Sequence, residues 1–377
     1  MRTGRTALVH DYMTQLGGAE RVAGILANEM PDARLLTSVH LPAEVPLRFI
    51  GGRAWQTSFL QPVGSRLPLK TLLPLLPAAL ASLDVGDCEL VISSSSAFAH
   101  HVRAAQDATH VCFCATPAHF LWGQDEYFRG RPALRRLLAP LLRRLRGLDL
   151  EAAARVDAYI AISRHIARRI EAVYGRKSRV VYPPVDVARF RPSHERSGRF
   201  LVVSRLVRTK HVDLAIETAN RFELPLDVIG KGPEIELLRT LAGPSVRVHG
   251  WQPDDVVRRA LAECTAVVIA GEEDFGLVTA EAQASGRPPV AFAGGGAPEI
   301  IEDGVTGYLF HAQTSAALGE AMLRAREREL ATADLVGSAA RFDLPVFRQA
   351  FREAIEAVSD RPPAPIGARS GIEVGGR

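Results

Sequence analysis

The sequence predicts an α/β chain built as two doubly wound domains, and three observations carry that prediction. At 377 residues the chain is long enough for two ordinary domains, each with its own core. Short runs rich in β-branched residues alternate with helical stretches through both halves, the pattern of mostly parallel sheets. Glycine turns recur between a strand and the helix after it, at Gly17-Gly18, at Gly230-Lys231-Gly232 and at Gly276. In such sheets a ligand binds at the carboxyl ends of the strands, where small residues let the backbone come close.

Composition bounds the function. Hydrophobic residues make up 47% of the chain and charged ones 23%, the balance of a soluble globular protein rather than a disordered or fibrous one. The net charge of +4 is a mild, Arg-dominated excess that selects no partner by itself. Nucleic acid is disfavoured, because the arginines concentrate in one Leu-lined segment without aromatic interleaving. The four cysteines, Cys88, Cys112, Cys114 and Cys264, show neither a disulfide framework nor zinc spacing. Cys112 and Cys114 alternate within an expected strand and read as small packed groups in a reducing cytoplasm. The N-terminus has no signal-peptide core, and the apolar tract Leu72 to Leu83 is too short and too rich in Pro to span a bilayer. Any membrane contact is therefore expected to be peripheral.

The first domain is expected over residues 1–186. Thr6 to Asp11 reads as a strand, followed by Gly17-Gly18 and a helix from Ala19 to Met30. This is the outline of a mononucleotide-binding half without the full dinucleotide fingerprint, and a plain tight turn explains the glycines equally. Further strands are expected at Arg34 to Val39, Glu89 to Ser93, Thr109 to Cys114, Ala158 to Ile162 and Arg179 to Tyr182. The hydroxyls of Ser93 to Ser96 either meet a polar ligand or cap the next helix. From Arg129 to Leu150 a helical wheel puts Arg135, Arg136, Arg143, Arg144 and Arg146 on one face. Leu137, Leu138, Leu141, Leu142, Leu145 and Leu148 lie opposite, and Pro140 is expected to kink or restart the helix. Such a helix either lies on an anionic bilayer or turns its Leu stripe to the core.

Residues 187–198 read as a linker, with Pro192, Ser193, Ser197 and Gly198 and little apolar periodicity. The second domain is expected over 199–342, opening with the strand Arg199 to Val203. Arg205 and Lys210 follow that strand, where two cations can neutralise a diphosphate. A surface pair of cations is the plainer alternative. A strand at Leu226 to Ile229 leads to Gly230 and Gly232, and Val246 to Gln252 precedes a helix opening at Pro253. The apolar run Ala266 to Ala270 then leads into Gly271-Glu272-Glu273-Asp274-Phe275-Gly276, a helix to Ser285, and a strand at Pro289 to Phe292. Glu273 falls at a strand's carboxyl end and Glu281 on the helix beyond. The amides of Phe275, Gly276 and Leu277 open that helix, where a phosphate or a sugar edge can be held. Read blandly, Glu273 is a helix-start carboxylate and Glu281 a solvated surface residue. Gly294-Gly295-Gly296 follows the last of these strands as a tight loop. A closing helix over 343–359 is expected to pack back on the first domain, and 360–377 reads as a disordered tail.

The Glu273-x7-Glu281 spacing, the Arg205-Leu206-Val207-x-x-Lys210 segment, the His10-Asp11-Tyr12…Gly17-Gly18-Ala19-Glu20-Arg21 start and Pro183-Pro184-Val185-Asp186 resemble retaining glycosyltransferases of family four. Within that family the chain looks most like mannosyltransferases of bacterial O-antigen and exopolysaccharide assembly. The resemblance implies the GT-B architecture, two Rossmann-like domains facing across a cleft. It implies a nucleotide-sugar donor, with GDP-mannose first, and a lipid-linked or glycan acceptor. Glu273 would contact sugar hydroxyls, Glu281 the ribose, and Arg205 and Lys210 the pyrophosphate. Gly17 and Gly18 would face the donor diphosphate. No metal or other cofactor is required, since there is no Asp-x-Asp motif. A non-catalytic scaffold of the same fold is the alternative from another class.

One departure stands out. Family members usually read Cys-His-Thr-Pro where this chain has Cys114-Ala115-Thr116-Pro117. The missing His commonly faces the donor sugar near its 6-hydroxyl. Ala115 therefore suggests a sugar lacking a normal 6-hydroxyl, poor acceptance of one that has it, or a substitute imidazole from His119; a water or a neighbour in the place of the imidazole is the plainer alternative.

Overall fold

The structure is a computed structural model that describes residues 5–123 and 132–359. The expected tail, and the start of the amphipathic stretch at Arg129, lie outside the described residues.

The chain divides into two compact units. The first takes residues up to Ala161, Ala167–Val181 and those from Gln349; the second takes Ile162–Ile166 and Tyr182–Arg348. The stretch 187–198 belongs to the second unit and is tied down there. Ser197 N donates to Glu263 O at 2.8 Å, and Arg196 pairs with Glu329 at 2.8 Å. The helix Leu344–Ser359 crosses from one unit to the other, and in the first its Phe351 ring meets Phe113 edge-on.

The first unit holds a seven-stranded, wholly parallel sheet in the order β3-β2-β1-β4-β5-β6-β7. Its strands are β1 (Thr6–His10), β2 (Arg34–Thr37), β3 (Gln56–Thr57), β4 (Leu90–Ser95), β5 (Thr109–Cys114), β6 (Ala158–Ala161) and β7 (Ser178–Val180). β1 pairs with β4 from Thr6↔Leu90 to His10↔Ser94. At that point the order of winding reverses, so right-handed crossovers put helices on both faces. Central strands covered on both faces must be apolar throughout, and Ala7, Leu8, Val9, Val91, Ile92 and Val111 are all fully buried.

The Leu stripe of the basic segment divides between core and surface. A single helix, Pro132–Arg155, continues through Pro140 without a restart. Pro140 removes one N–H bond, to the carbonyl of Arg136, and both residues sit at the solvent face where water can substitute. Leu142 and Leu145 are buried in the first core while Leu137 is 76% exposed, with Leu141 and Leu148 also exposed. Arg146 leaves the basic face. Its guanidinium donates to Leu121 O and stacks over Trp122. Among the described residues no helix is long and apolar enough to cross a membrane.

The serine run does not face outward. Ser93 Oγ meets His110 Nε2 at 2.9 Å and Ser95 Oγ meets His100 Nδ1 at 3.1 Å, both buried. The 3-10 turn after β4, Ala99–His101, is held instead by Asp11 at the end of β1. The fully buried Asp11 carboxylate accepts from the amides of Ser96, Ala97, Phe98 and Ala99, at 2.5 to 3.0 Å, and from the Ser96 hydroxyl. Four convergent amides compensate a buried charge that would otherwise be prohibitive.

The second unit repeats the winding with six parallel strands in the order β10-β9-β8-β11-β12-β13. They are β8 (Phe200–Val203), β9 (Leu226–Ile229), β10 (Val246–Gly250), β11 (Val267–Ile269), β12 (Pro289–Phe292) and β13 (Tyr308–Phe310). Phe200, Val202, Val228, Val268, Val290 and Tyr308 form its core with Leu318 and Met322 of the helix Ser315–Glu327. Asp11→Ala leaves four amides of the first unit without an acceptor. It is expected to lower stability by about 3 kcal/mol or more, read from the denaturant midpoint; an unchanged midpoint would contradict this account of the turn.

Candidate functional site

β8 and β11 are neighbours, and between them the winding of the second sheet reverses. Loops leaving two such strands diverge to opposite faces and open a crevice at their carboxyl ends. Lys210 stands in the loop after β8, on the 3-10 turn Arg208–Lys210, and Glu273 in the loop after β11. Their side chains meet there, Lys210 Nζ donating to Glu273 Oε2 at 2.7 Å. They are 18% and 23% exposed, partly shielded yet reachable from solvent. Directly after Lys210, His211 takes a left-handed conformation at φ 48. Such strain in a residue other than Gly concentrates where surrounding structure fixes a functional loop.

The glycines explain how the loops pack. A Cβ on Gly271 would lie 2.6 Å from Thr209 O, so only glycine lets the β11 loop run against the backbone that carries Lys210. Gly230 and Gly232 behave alike, since a Cβ on Gly232 would lie 2.2 Å from Leu206 O and one on Gly230 would strike Ser204 O. Their small size admits the Ser204–Leu206 backbone, whereas the sequence had suggested approach to a nucleotide. Between those residues Arg205 is exposed and makes no side-chain hydrogen bond or ion pair among the described residues.

The Glu273 loop is braced from two directions, and the segment that supplies one brace is itself held by Glu299. Gly296 N donates to Glu273 O at 2.7 Å, and Gly295, at φ 65, approaches the same carbonyl. Ser163 Oγ donates to Asp274 O at 2.6 Å. Glu299 accepts from the amides of Arg164 and His165 at 2.7 and 2.8 Å and from the Tyr182 hydroxyl at 3.1 Å. Burial, and then the Glu299 charge, push the Tyr182 phenol up, so it remains a donor. Sequence reasoning missed Ser163, Tyr182 and the role of Glu299. The only available signal was the Pro298-Glu299 pair after the glycines.

Gly276, at φ 98, is the N-cap of the helix Leu277–Ala284. Thr279 and Ala280 both donate to its carbonyl, which leaves the amides of Leu277 and Val278 as the helix's open donors. The Phe275 ring is buried against Tyr182 and Phe342, so this residue can offer a ligand only its backbone. Glu281 is half-buried on the same helix and engaged within the protein. Thus Lys210 and Glu273 are brought into contact, with Arg205 on the same strand-end loop and the helix N-terminus just beyond Glu273.

Gly17 and Gly18 belong to the first unit. Gly17 caps the helix Gly18–Glu29, and its N–H donates to Glu20 Oε2 at 2.9 Å. Its φ of −115 is ordinary, so no conformational demand requires glycine there. At the end of β5, Ala115 is half-buried with its N–H on Ser95 O. His119 is exposed and meets Thr116 Oγ1 at 3.4 Å.

Comparison with known proteins agrees with both units. Residues 16–189 match the family described as Glycosyltransferase Family 4, and residues 197–328 match Glycosyl transferases group 1. The first unit is thus similar to Family 4 glycosyltransferases and the second to those of group 1, and the two parallel α/β sheets are those of the GT-B fold. Among curated relatives it is 33% identical over 153 residues to D-inositol 3-phosphate glycosyltransferase of Mycobacterium avium, covering 34% of this chain and 36% of that protein. The corresponding Mycolicibacterium gilvum enzyme is 32% identical over 41% of each chain, so the match spans well under half of these relatives. Among solved structures, the lipopolysaccharide outer core galactosyltransferase WaaB superposes with a TM-score of 0.67 at 19% identity, covering 94% of this chain and 99% of that one. Anabaena HepE in complex with UDP and glucose gives 0.67 at 19% identity, covering 94% and 100%. Both share the GT-B fold.

The Lys210–Glu273 pair is too solvent-accessible to hold the unit together. Lys210→Ala is expected to shift stability by no more than about 1 kcal/mol, measured by thermal unfolding. A loss of several kcal/mol would make the pair structural instead.

Proposed function

We propose that this chain is a metal-independent, retaining glycosyltransferase that moves a hexose from a nucleotide-sugar to a lipid-linked or glycan acceptor. The observation that carries the reading is the 2.7 Å Lys210–Glu273 pair at the reversal of the second sheet. A cation and a carboxylate there offer a sugar diphosphate both of the contacts it needs. Donor binding separates the pair. Lys210 turns to the diphosphate together with Arg205, and Glu273 accepts from sugar hydroxyls. The open amides of Leu277 and Val278 add donors for the phosphate. As the bond to the sugar breaks, charge grows on the leaving diphosphate, and two cations already in place stabilise it without reorganisation. The departing phosphate takes the acceptor's proton on the same face, so no carboxylate nucleophile is needed. Glu281 holds the ribose.

Mannose from GDP-mannose is our first reading of the donor. UDP in the HepE structure supports a nucleoside diphosphate product without fixing the base. A 6-deoxy sugar is the second reading, favoured by Ala115, whose methyl cannot hydrogen-bond a 6-hydroxyl. Peripheral contact with an anionic membrane is supported by the helix Pro132–Arg155. On it Leu134, Leu137 and Leu141 are exposed beside exposed Arg135, Arg136, Arg143 and Arg144.

Purified chain given a panel of GDP-, UDP- and dTDP-sugars should release nucleoside diphosphate from one class. Lys210→Ala and Glu273→Gln should each lower kcat/KM by about 100-fold or more. Release from no donor, with any lipid or glycan acceptor supplied, would leave the non-catalytic scaffold as the better reading. On the same panel, Ala115→His should move preference toward sugars that carry a 6-hydroxyl. Unchanged preference and rate would remove Ala115 from donor selection.

A further inference from the structure

We propose that His100, His101 and Asp149 form a structural site for a borderline divalent cation of the Zn2+ type in the first unit. The two histidines stand on the turn Ala99–His101, and Asp149 on the helix Pro132–Arg155. All three are buried, at 2%, 4% and 0% exposure. His100 Nε2 lies 3.1 Å and His101 Nε2 3.2 Å from the same oxygen, Asp149 Oδ1. The candidate ligand atoms all fall within 4.8 Å of one another. A tetrahedral zinc with bonds of roughly 2.0–2.1 Å holds its ligands about 3.3 Å apart. The two distances to Asp149 Oδ1 are already close to that.

The remaining valences point the same way. Asp149 Oδ2 is already occupied, accepting from Trp122 Nε1 at 2.7 Å and from the Tyr174 hydroxyl at 2.9 Å. Oδ1 is the oxygen turned to both histidines, in a hydrogen bond with His101 Nε2 at 3.2 Å that a shared cation would replace. Ser95 Oγ meets His100 Nδ1 at 3.1 Å, which fixes the ring and directs the other nitrogen inward. His100 Nε2 is buried without a hydrogen-bond partner although it lies so near a carboxylate oxygen, because the direction is wrong for a bond. A lone pair aimed at a cation shared with Oδ1 accounts for that direction. Outer contacts from Ser95, Trp122 and Tyr174 are the supports that metal-ligating groups require. Two imidazoles and a carboxylate select Zn2+ over Mg2+ or Ca2+. Bound there, the ion clamps the turn after β4 to the long helix. This site is independent of the proposed sugar transfer, and its failure would leave that reading untouched.

The test is the metal content of the full chain from zinc-supplemented cells, measured by plasma mass spectrometry after gel filtration and again after equilibration with excess Zn2+. About one zinc per chain is expected, falling to about a tenth or less in His101→Gln. Less than about a tenth of an equivalent in the wild type under both conditions would overturn the site, leaving a purely hydrogen-bonded cluster. So would an undiminished content in a folded His101→Gln. Should that variant not fold, the Co2+-loaded wild type decides. Visible d–d bands without a thiolate charge-transfer band support His and Asp ligation. Absent d–d bands, or a thiolate band from Cys112 or Cys114, overturn it.

Discussion

Everything proposed for the chemistry depends on one ion pair being where it is. Lys210 and Glu273 are 63 residues apart in the chain and 2.7 Å apart in space. They meet because β8 and β11 are neighbours across the reversal of the second sheet, so the two loops emerge at one place. Neither residue has another reason to be there. A half-shielded pair contributes little to stability, and the loops that present it are expensive to build. Gly271, Gly232 and Gly295 each sit where a Cβ would strike backbone, and His211 is held in a left-handed conformation. Strain and tight packing around a pair of such small stabilising value are the mark of a site organised for a ligand.

The pair also neutralises itself when no donor is bound. Lys210 satisfies Glu273, while Arg205 makes no side-chain ion pair among the described residues. A diphosphate must compete with Glu273 for the ammonium, so part of its binding energy goes into separating the pair. That energy returns when the leaving group acquires charge and the cation is already beside it. The first unit handles buried charge differently. Asp11 is satisfied by four amides of a single turn, and this fixes the turn on which His100 and His101 stand.

Much of the architecture could be read from the residues. β5 and β12 begin and end where their β-branched and apolar runs do, and the reversal of the second sheet follows from strand–helix alternation. Glu273 and Lys210 were readable because each follows an obvious buried strand. Other features were hidden for physical reasons. The brace from the Glu273 loop to Ser163 reaches over 111 residues, and the bond from Glu299 to the neighbouring Arg164 amide over 135, and no local pattern marks such contacts. The close approach of the Ser204–Leu206 backbone to Gly230 and Gly232 is likewise a contact between separate segments that no local pattern marks. The Ser93–Ser96 hydroxyls looked available and are consumed inside the fold. The helix Thr332–Ala340 escaped notice because its Ala-rich sequence buries only Leu335 and Ala339.

The most direct test of the central claim is a calorimetric titration of the free nucleoside diphosphates, GDP and UDP, into wild-type chain, Lys210→Ala and Glu273→Gln. If the pair is a diphosphate site held closed by its own carboxylate, Lys210→Ala weakens binding by about tenfold or more. Glu273→Gln, which releases the ammonium, leaves it equal or tighter. Affinity indifferent to Lys210, or lost together with Glu273, would contradict the account.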